Sequence, residues 1–297
     1  MPISTLSWML IEDDADRKKR IGDAVRHVVA QRSSAEHRAI DVPELSDGEI
    51  WLLRDGAAEL ASLWVLHDGT RVVLGDVTVQ DASLVTGRLL WTELRALAGR
   101  RGWTDSIHVS ELGHNPVIAE CASAADAVRV ATKMQVDVAR VPPARGIVLE
   151  PMTEEAFIAY QSATIIEYAR ELRSNGLAGS TDEAQKRSAE QHAELLPRGL
   201  ATPGENLWTV KDGSEAVGIL WVHTDETRGF IYDIEMRETA RGRGYGTQTL
   251  RAAAGFTRDA GLPMLALNVF GGNEGARRLY AREGFAVTET MWSMPLG

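Results

Sequence analysis

The sequence predicts an α/β (α+β) protein made of two copies of one fold. Three observations lead there. The chain has 297 residues, about twice an average domain of ~150. Short apolar runs separated by Asp-Gly turns alternate with helical segments in both halves. Residues 49–79 also align without a gap on 206–236, at a constant offset of 157. That offset pairs Trp51 with Trp208, Asp55-Gly56 with Asp212-Gly213, and Leu63-Trp64-Val65 with Leu220-Trp221-Val222. It also pairs Asp68 with Asp225, Thr70-Arg71 with Thr227-Arg228, and Asp76 with Asp233. Two paired tryptophans in so short a stretch mark an internal duplication.

In chain order, Asp13 or Asp14 is expected to cap a helix running to about Gln31, with Ile21, Val25, Val28 and Val29 on one face. The polar stretch 33–47 reads as loop. Strands follow at 49–54, 59–67 and 71–79, parted by the turns Asp55-Gly56 and Asp68-Gly69. A helix at 88–101, a strand at 106–110, a short helix at 116–128 and a last strand reaching Ala139 complete this half. The Pro-Pro segment 141–146 is the expected linker, giving domains 1–140 and 147–297.

The second half opens with helices of its own. Thr153-Glu154-Glu155 starts one that carries Phe157, Ile165, Tyr168 and Leu172 and stops at Asn175-Gly176. Ser180 to Glu183 forms a capping box for the next, which ends near Leu196. The strand-like run 230–236 then meets Arg241-Gly242-Arg243-Gly244-Tyr245-Gly246-Thr247 at the start of a helix to about Ala260. Alternate glycines permit positive φ, so successive N–H groups can converge where a helix N-terminus already favours an anion. A P-loop would need Gly-Lys-Ser/Thr, and a dinucleotide fingerprint G-x-G-x-x-G with an acid after the next strand. Neither spacing is present, so the loop is a pyrophosphate cradle of another kind or a plain strand-to-helix turn.

Downstream residues decide between these. After Gly261 and Pro263 comes a strand at 264–269, then Asn273 at an N-cap position, Ala276, Leu279, Tyr280, and Gly284-Phe285. Over about 147–297 the chain resembles the GNAT superfamily of acetyl-CoA-dependent N-acetyltransferases. Its phosphate loop Q/R-x-x-G-x-G/A is matched by Arg241 to Gly246. Its later pattern N-x-x-A-x-x-L-Y-x-x-x-G-F is matched from Asn273 to Phe285 without a gap. The resemblance implies two tandem GNAT-like domains, each a mixed, mostly antiparallel sheet flanked by helices. The first copy has Leu84-Val85-Thr86-Gly87-Arg88-Leu89-Leu90 where the second has its glycines, and Ala122 where the second has Tyr280. It is therefore expected to be a degenerate scaffold beside a catalytic second copy. Cys121 lies over Leu279 and reads as a small buried apolar residue.

The resemblance implies transfer of an acetyl group from acetyl-CoA, a co-substrate, to a primary amine of a small molecule or peptide N-terminus. It makes Tyr280 the acid that protonates the departing thiolate. The backbone around Ile234 and Met236 would polarise the acetyl carbonyl, Arg241 to Thr247 would hold the pyrophosphate, and Asn273 would cap its helix and contact coenzyme A. The family's two positions for a basic carboxylate are Phe230 and Asn268 here, which leaves Asp233 and Glu235 as candidate bases on one strand face. Glu167, Tyr168 and His192 are candidate acceptor contacts, with core packing or a solvated face as their other reading. Two further functions remain open: a non-catalytic acyl-CoA-binding regulator and a mycothiol-synthase-like acetyltransferase.

Composition sets wider bounds. With 44% hydrophobic and 25% charged residues the chain is an ordinary globular protein. One cysteine excludes an intrachain disulfide and fits a reducing, cytoplasmic setting. No apolar run approaches a membrane span, and no basic leader precedes Glu12-Asp13-Asp14. A net charge of −10 argues against a nucleic-acid partner and mildly favours cationic substrates. The seven histidines show no metal-ligand spacing, so no metal is expected.

Overall fold

The computed structural model describes residues 6–68 and 71–297. The chain divides into two compact units, one of residues 1–132 with 288–297 and the other of residues 133–287.

In the first unit, β1 (Leu6–Leu10) is followed by α1 (Asp14–Glu36), then β2 (Glu49–Asp55), β3 (Ala58–Asp68) and β4 (Arg71–Val79). Asp13 caps α1 by accepting from the N–H of Asp16 at 2.8 Å, as the sequence indicated. The helix runs past Gln31 into the stretch expected as loop. There Glu36, only 3% exposed, accepts from Arg38 Nε at 2.7 Å. The second hairpin turn, Asp68-Gly69, falls outside the described residues. Next come α2 (Gly87–Arg101), β5 (Ser106–Leu112) and α3 (Pro116–Ala124), which stops four residues before the expected Val128. Strand order is β1-β2-β3-β4-β5, completed by residues of a strand from the far end of the sequence, β12 (Ala286–Pro295). β5 and β12 pair antiparallel from Ser106↔Pro295 to Leu112↔Glu289. Leu63, Val65, Leu90, Leu94 and Met294 are buried in one core.

The second unit takes its outer strand from β6 (Val128–Asp137) and continues with β7 (Val148–Pro151), α4 (Glu154–Ser174), α5 (Thr181–Leu195), β8 (Glu205–Asp212), β9 (Glu215–Thr224), β10 (Arg228–Met236), α6 (Tyr245–Asp259), β11 (Met264–Phe270) and α7 (Glu274–Arg282). Strand order is β6-β11-β10-β9-β8-β7. Thr153, Ser180 and Asn273 cap α4, α5 and α7 through their side chains. Val210, Leu220, Val222, Leu250 and Leu265 form the core, together with Met134 and Val136 of β6.

The compact units thus do not follow the expected boundary at 141–146. The last strand of the first sequence copy packs its apolar face into the second unit. The last strand of the second copy pairs in the first unit. Neither exchange leaves a trace in local sequence pattern, because either sheet offers an apolar strand the same surface.

The duplication extends to an irregularity. Trp64 pairs with Asp76 and Val65 with Leu74, leaving Gly75 as an extra residue in β4. Trp221 pairs with Asp233 and Val222 with Ile231, leaving Tyr232 extra in β10. The two β-bulges sit at equivalent positions, and such bulges re-aim the side chains that follow them.

Candidate functional site

In the second unit β10 runs parallel to β11 only over Arg228–Ile231, which pairs with Met264–Leu267. At the bulge the strands part. A cleft of about 960 Å³ lies there, lined by residues of β10, the end of β11, α4 and α5, with Tyr280 of α7. Crevices at the carboxyl ends of parallel strands are where open α/β sheets take ligands.

Asp233 and Glu235 both line this cleft, as do the other residues of β10 from Phe230 to Met236. Asp233 accepts a hydrogen bond from Tyr160 Oη at 2.9 Å. Burial pushes its pKa up to about 6; the Tyr160 bond opposes the rise and the charges of Glu235 and Glu167 add to it. Glu235 is about half exposed and pairs with Arg241 at 3.5 Å. Its pKa is raised by partial burial and by Glu167, against the pull of Arg241. Tyr280 is 7% exposed, and burial, then the charges of Asp233 and Glu171, push its phenol up to about 12. It is therefore a protonated donor throughout the neutral range.

Ile234, Met236, Arg241 and Asn273 also line the cleft. Arg241 donates from Nε to the Met236 carbonyl at 3.2 Å, and Asn273 Oδ1 accepts from the N–H of Ala276 at 3.0 Å. The glycine loop flanks the cleft rather than lining it. Gly242 and Gly244 have φ of +75° and +86°, and a Cβ at either would meet nothing within 4 Å. Gly244 is the N-cap of α6, and no side chain caps that helix. The first-turn N–H groups of Tyr245, Gly246 and Thr247 are thus free of a side-chain acceptor. Met236 joins the two places: its Cγ lies 4.0 Å from where a Gly246 Cβ would be. Two side chains of the loop turn elsewhere. Tyr245 is buried and donates to Asp212 at 2.5 Å, and the Arg243 guanidinium stacks 5.0 Å over the Tyr245 ring. Both residues offer the loop backbone rather than contacts in the cleft.

Four residues at the cleft owe their places to α4 and α5. Glu167, Tyr168 and His192 line it, as does Glu171, which sequence reasoning did not single out. Burial, then Glu167 and Asp233, raise Glu171 to about 7. Its spacing of one helical turn from Glu167 was the available signal. Tyr160, also unremarked, needed the bulge to bring Asp233 to it.

The first unit treats its equivalent positions differently. Asp76, the counterpart of Asp233, is bound by His27 Nδ1 at 2.9 Å and Thr78 Oγ1 at 2.8 Å. The N-terminus of α2 is filled from within: Thr86 Oγ1 accepts from Leu89 at 3.3 Å and Glu120 Oε2 from Gly87 at 2.8 Å. Cys121 is 2% exposed, and burial pushes its thiol up to about 12. Among the described residues no group of acids, histidines and cysteines is placed to hold a metal ion, and no helix is long and apolar enough to cross a membrane.

Comparison with known proteins agrees with this division. A sequence model of the acetyltransferase (GNAT) family matches residues 164–285. The uncharacterized N-acetyltransferase YycN of Bacillus subtilis (strain 168) is 38% identical over 155 residues, half of this chain and 99% of that protein. A second uncharacterized N-acetyltransferase of the same organism, YdgE, is 31% identical over 145 residues, 47% of this chain and 92% of that protein. Over nearly the whole length, 97% of this chain and 96% of the other, the fold is similar to a GCN5-related N-acetyltransferase from Sphaerobacter thermophilus, with a TM-score of 0.54 at 15% identity.

Proposed function

The chain belongs to the GNAT acetyltransferase family, and from that premise we propose that its second half moves an acetyl group from acetyl-CoA to a primary amine of a small molecule by direct attack on the thioester. The observation that carries this is the adjacency, through Met236, of an uncapped helix N-terminus and a cleft between parted strands. The residues fit an acyl-CoA. The open space at Gly242 and Gly244 admits a pyrophosphate to the first-turn N–H groups of α6, and the unpaired edge of β10 beyond Ile231 offers backbone donors and acceptors to a pantetheine arm. When bound, acetyl-CoA supplies an activated acetyl thioester.

The chain's own groups handle the protons. An alkyl ammonium of pKa ~10.4 is neutral in about one molecule in 2,500 at pH 7, a handicap of roughly 4.6 kcal/mol. A carboxylate that is ionised yet basic relieves it. Asp233, at about 6, meets that description better than Glu235, which is solvated and held by Arg241. We assign the general base to Asp233. Tyr280 donates to the leaving thiolate. The charge on Asp233 helps hold the phenol at about 12. Once Asp233 has taken the ammonium proton, that cause is gone and the phenol becomes a better acid. Base before acid is the order the electrostatics favour.

The first half, with its helix N-terminus closed by Glu120, serves as a scaffold without a cofactor of its own. Thiol release from acetyl-CoA against a panel of primary amines tests the reading, with Tyr280→Phe as control. Release that depends on the amine and on Tyr280 supports it. Binding of acetyl-CoA with no amine-dependent release supports a regulatory binder instead.

A further inference from the structure

The end of the cleft away from α7 is built for more than one amine. Five carboxylates line the cleft, Glu167, Glu171, Glu194, Asp233 and Glu235, against two cations, Lys133 and Arg241. Arg241 is engaged by Glu235. Carboxylates on α4 and β10 raise one another's proton affinity, a like-charge repulsion that a cationic guest relieves.

An acidic lining alone would be unremarkable, but one buried polar atom in it lacks a partner. His192 is 5% exposed, and its Nδ1 lies 3.0 Å from the Ser188 carbonyl, to which it must donate. Burial lowers the pKa of this ring, and in its neutral form Nε2 is a lone-pair acceptor, buried and without a hydrogen bond. A buried acceptor left unpaired costs about 1–3 kcal/mol, so an N–H arriving there is rewarded. The ring stands between aromatic walls, with Tyr168 and Trp221 each 6.0 Å away centroid to centroid. Trp221 is pinned by its own N–H to Glu205 at 2.6 Å, so the wall is preorganised. Aromatic faces, carboxylates and one buried nitrogen acceptor together describe a pocket for an alkylammonium.

We propose that the acceptor is a diamine, whose unreactive ammonium is held by Glu167 and Glu171 and donates to His192 Nε2 while its other nitrogen is acetylated. This rests on the acetyltransferase reading above and goes beyond it by naming the substrate class.

Calorimetric titration of the full chain in the presence of coenzyme A, with terminal diaminobutane and with aminobutane, tests the pocket without relying on turnover. Diaminobutane is expected to bind about 30-fold more tightly than aminobutane, as one charge-assisted hydrogen bond provides. Glu167→Gln and His192→Ala are each expected to remove about tenfold of the preference for diaminobutane over aminobutane. Glu167 is exposed on α4, so its variant keeps the measurement valid if His192→Ala unfolds. Equal binding of the two amines, or a preference that survives Glu167→Gln, overturns the inference. Thiol release measured alongside with any primary amine decides the acetyltransferase reading separately, so the two can fail independently.

Discussion

Glu120 presents its carboxylate Oε2 to the N–H of Gly87 at 2.8 Å, which closes the N-terminus of α2 with a charge from the protein itself. Its counterpart in the second unit, the start of α6 behind Gly244, has no side-chain cap at all. The two equivalent helix N-termini thus differ: one holds a carboxylate of the protein and the other has no side-chain cap. A helix N-terminus that already holds a carboxylate has neither the donors nor the potential for a phosphate.

Tyr280→Phe is expected to lower kcat by about 10²–10³-fold, the range for losing a positioned general acid. The affinity for acetyl-CoA should stay as it is, because the role proposed for the phenol is proton donation to the leaving thiolate. Isothermal titration and steady-state rates separate the two effects.

As the proposed general base, Asp233 is expected to set the acid limb of the pH profile. Its active form is the carboxylate, so kcat/KM should rise with pH through about 6. Tyr160→Phe removes the hydrogen bond that lowers this pKa, so the limb should move to higher pH. Asp233→Asn should abolish the limb and lower the rate about 10²–10³-fold.

Glu171 makes a prediction about stability. Its folded-state pKa, about 7, lies above the usual carboxylate value of 4.5, so the folded state binds this proton more tightly than the unfolded. That contribution is complete below about pH 4.5 and is lost as pH rises through about 7. Glu171→Gln should therefore raise Tm at pH 8 and leave it nearly unchanged at pH 4.5, as thermal melts at the two pH values will show.

How much of this was legible in the sequence depends on how local each cause is. Caps at Thr153, Ser180 and Asn273 are set by one residue and its next turn and were read correctly, and of the two candidates Asp13 and Asp14 it is Asp13 that caps α1. The repeat at an offset of 157 holds in the structure down to twin bulges opposite Trp64 and Trp221, although neither the strand order nor the bulges could be read from it. Gly242 and Gly244 have the positive φ expected of the loop glycines, whereas Gly246 lies in the first turn of α6 with a helical backbone. What stayed hidden depends on distant partners. β1 and β12 were not anticipated, and the exchange of β6 and β12 is decided by pairing across the chain. Glu171 showed only its spacing from Glu167, because the burial that chiefly raises its pKa, and Asp233, which adds to it, depend on other elements. Tyr245 was read as a contact through its backbone N–H, and its hydroxyl is bound to Asp212, a partner the sequence did not reveal.

The strand exchange has a consequence for dissection. A fragment 147–297 omits Met134, Val136, Val138 and Val141, all buried in the second unit's core. Each contributes about 1.5–3 kcal/mol by burial, together comparable with the whole stability of a domain. That fragment should melt without a cooperative transition, whereas 133–287 should unfold cooperatively in calorimetry.

The most direct measurement is the titration of acetyl-CoA into the wild-type chain and into Gly244→Asp, which tolerates the left-handed backbone better than other residues and places at α6 the charge that Glu120 places at α2. One site per chain, weakened about 100-fold in the variant while Tm is held, is the expected result. Two sites per chain, or a variant that binds as tightly as wild type, would contradict the assignment of the open helix N-terminus as the place where the co-substrate's phosphates are held.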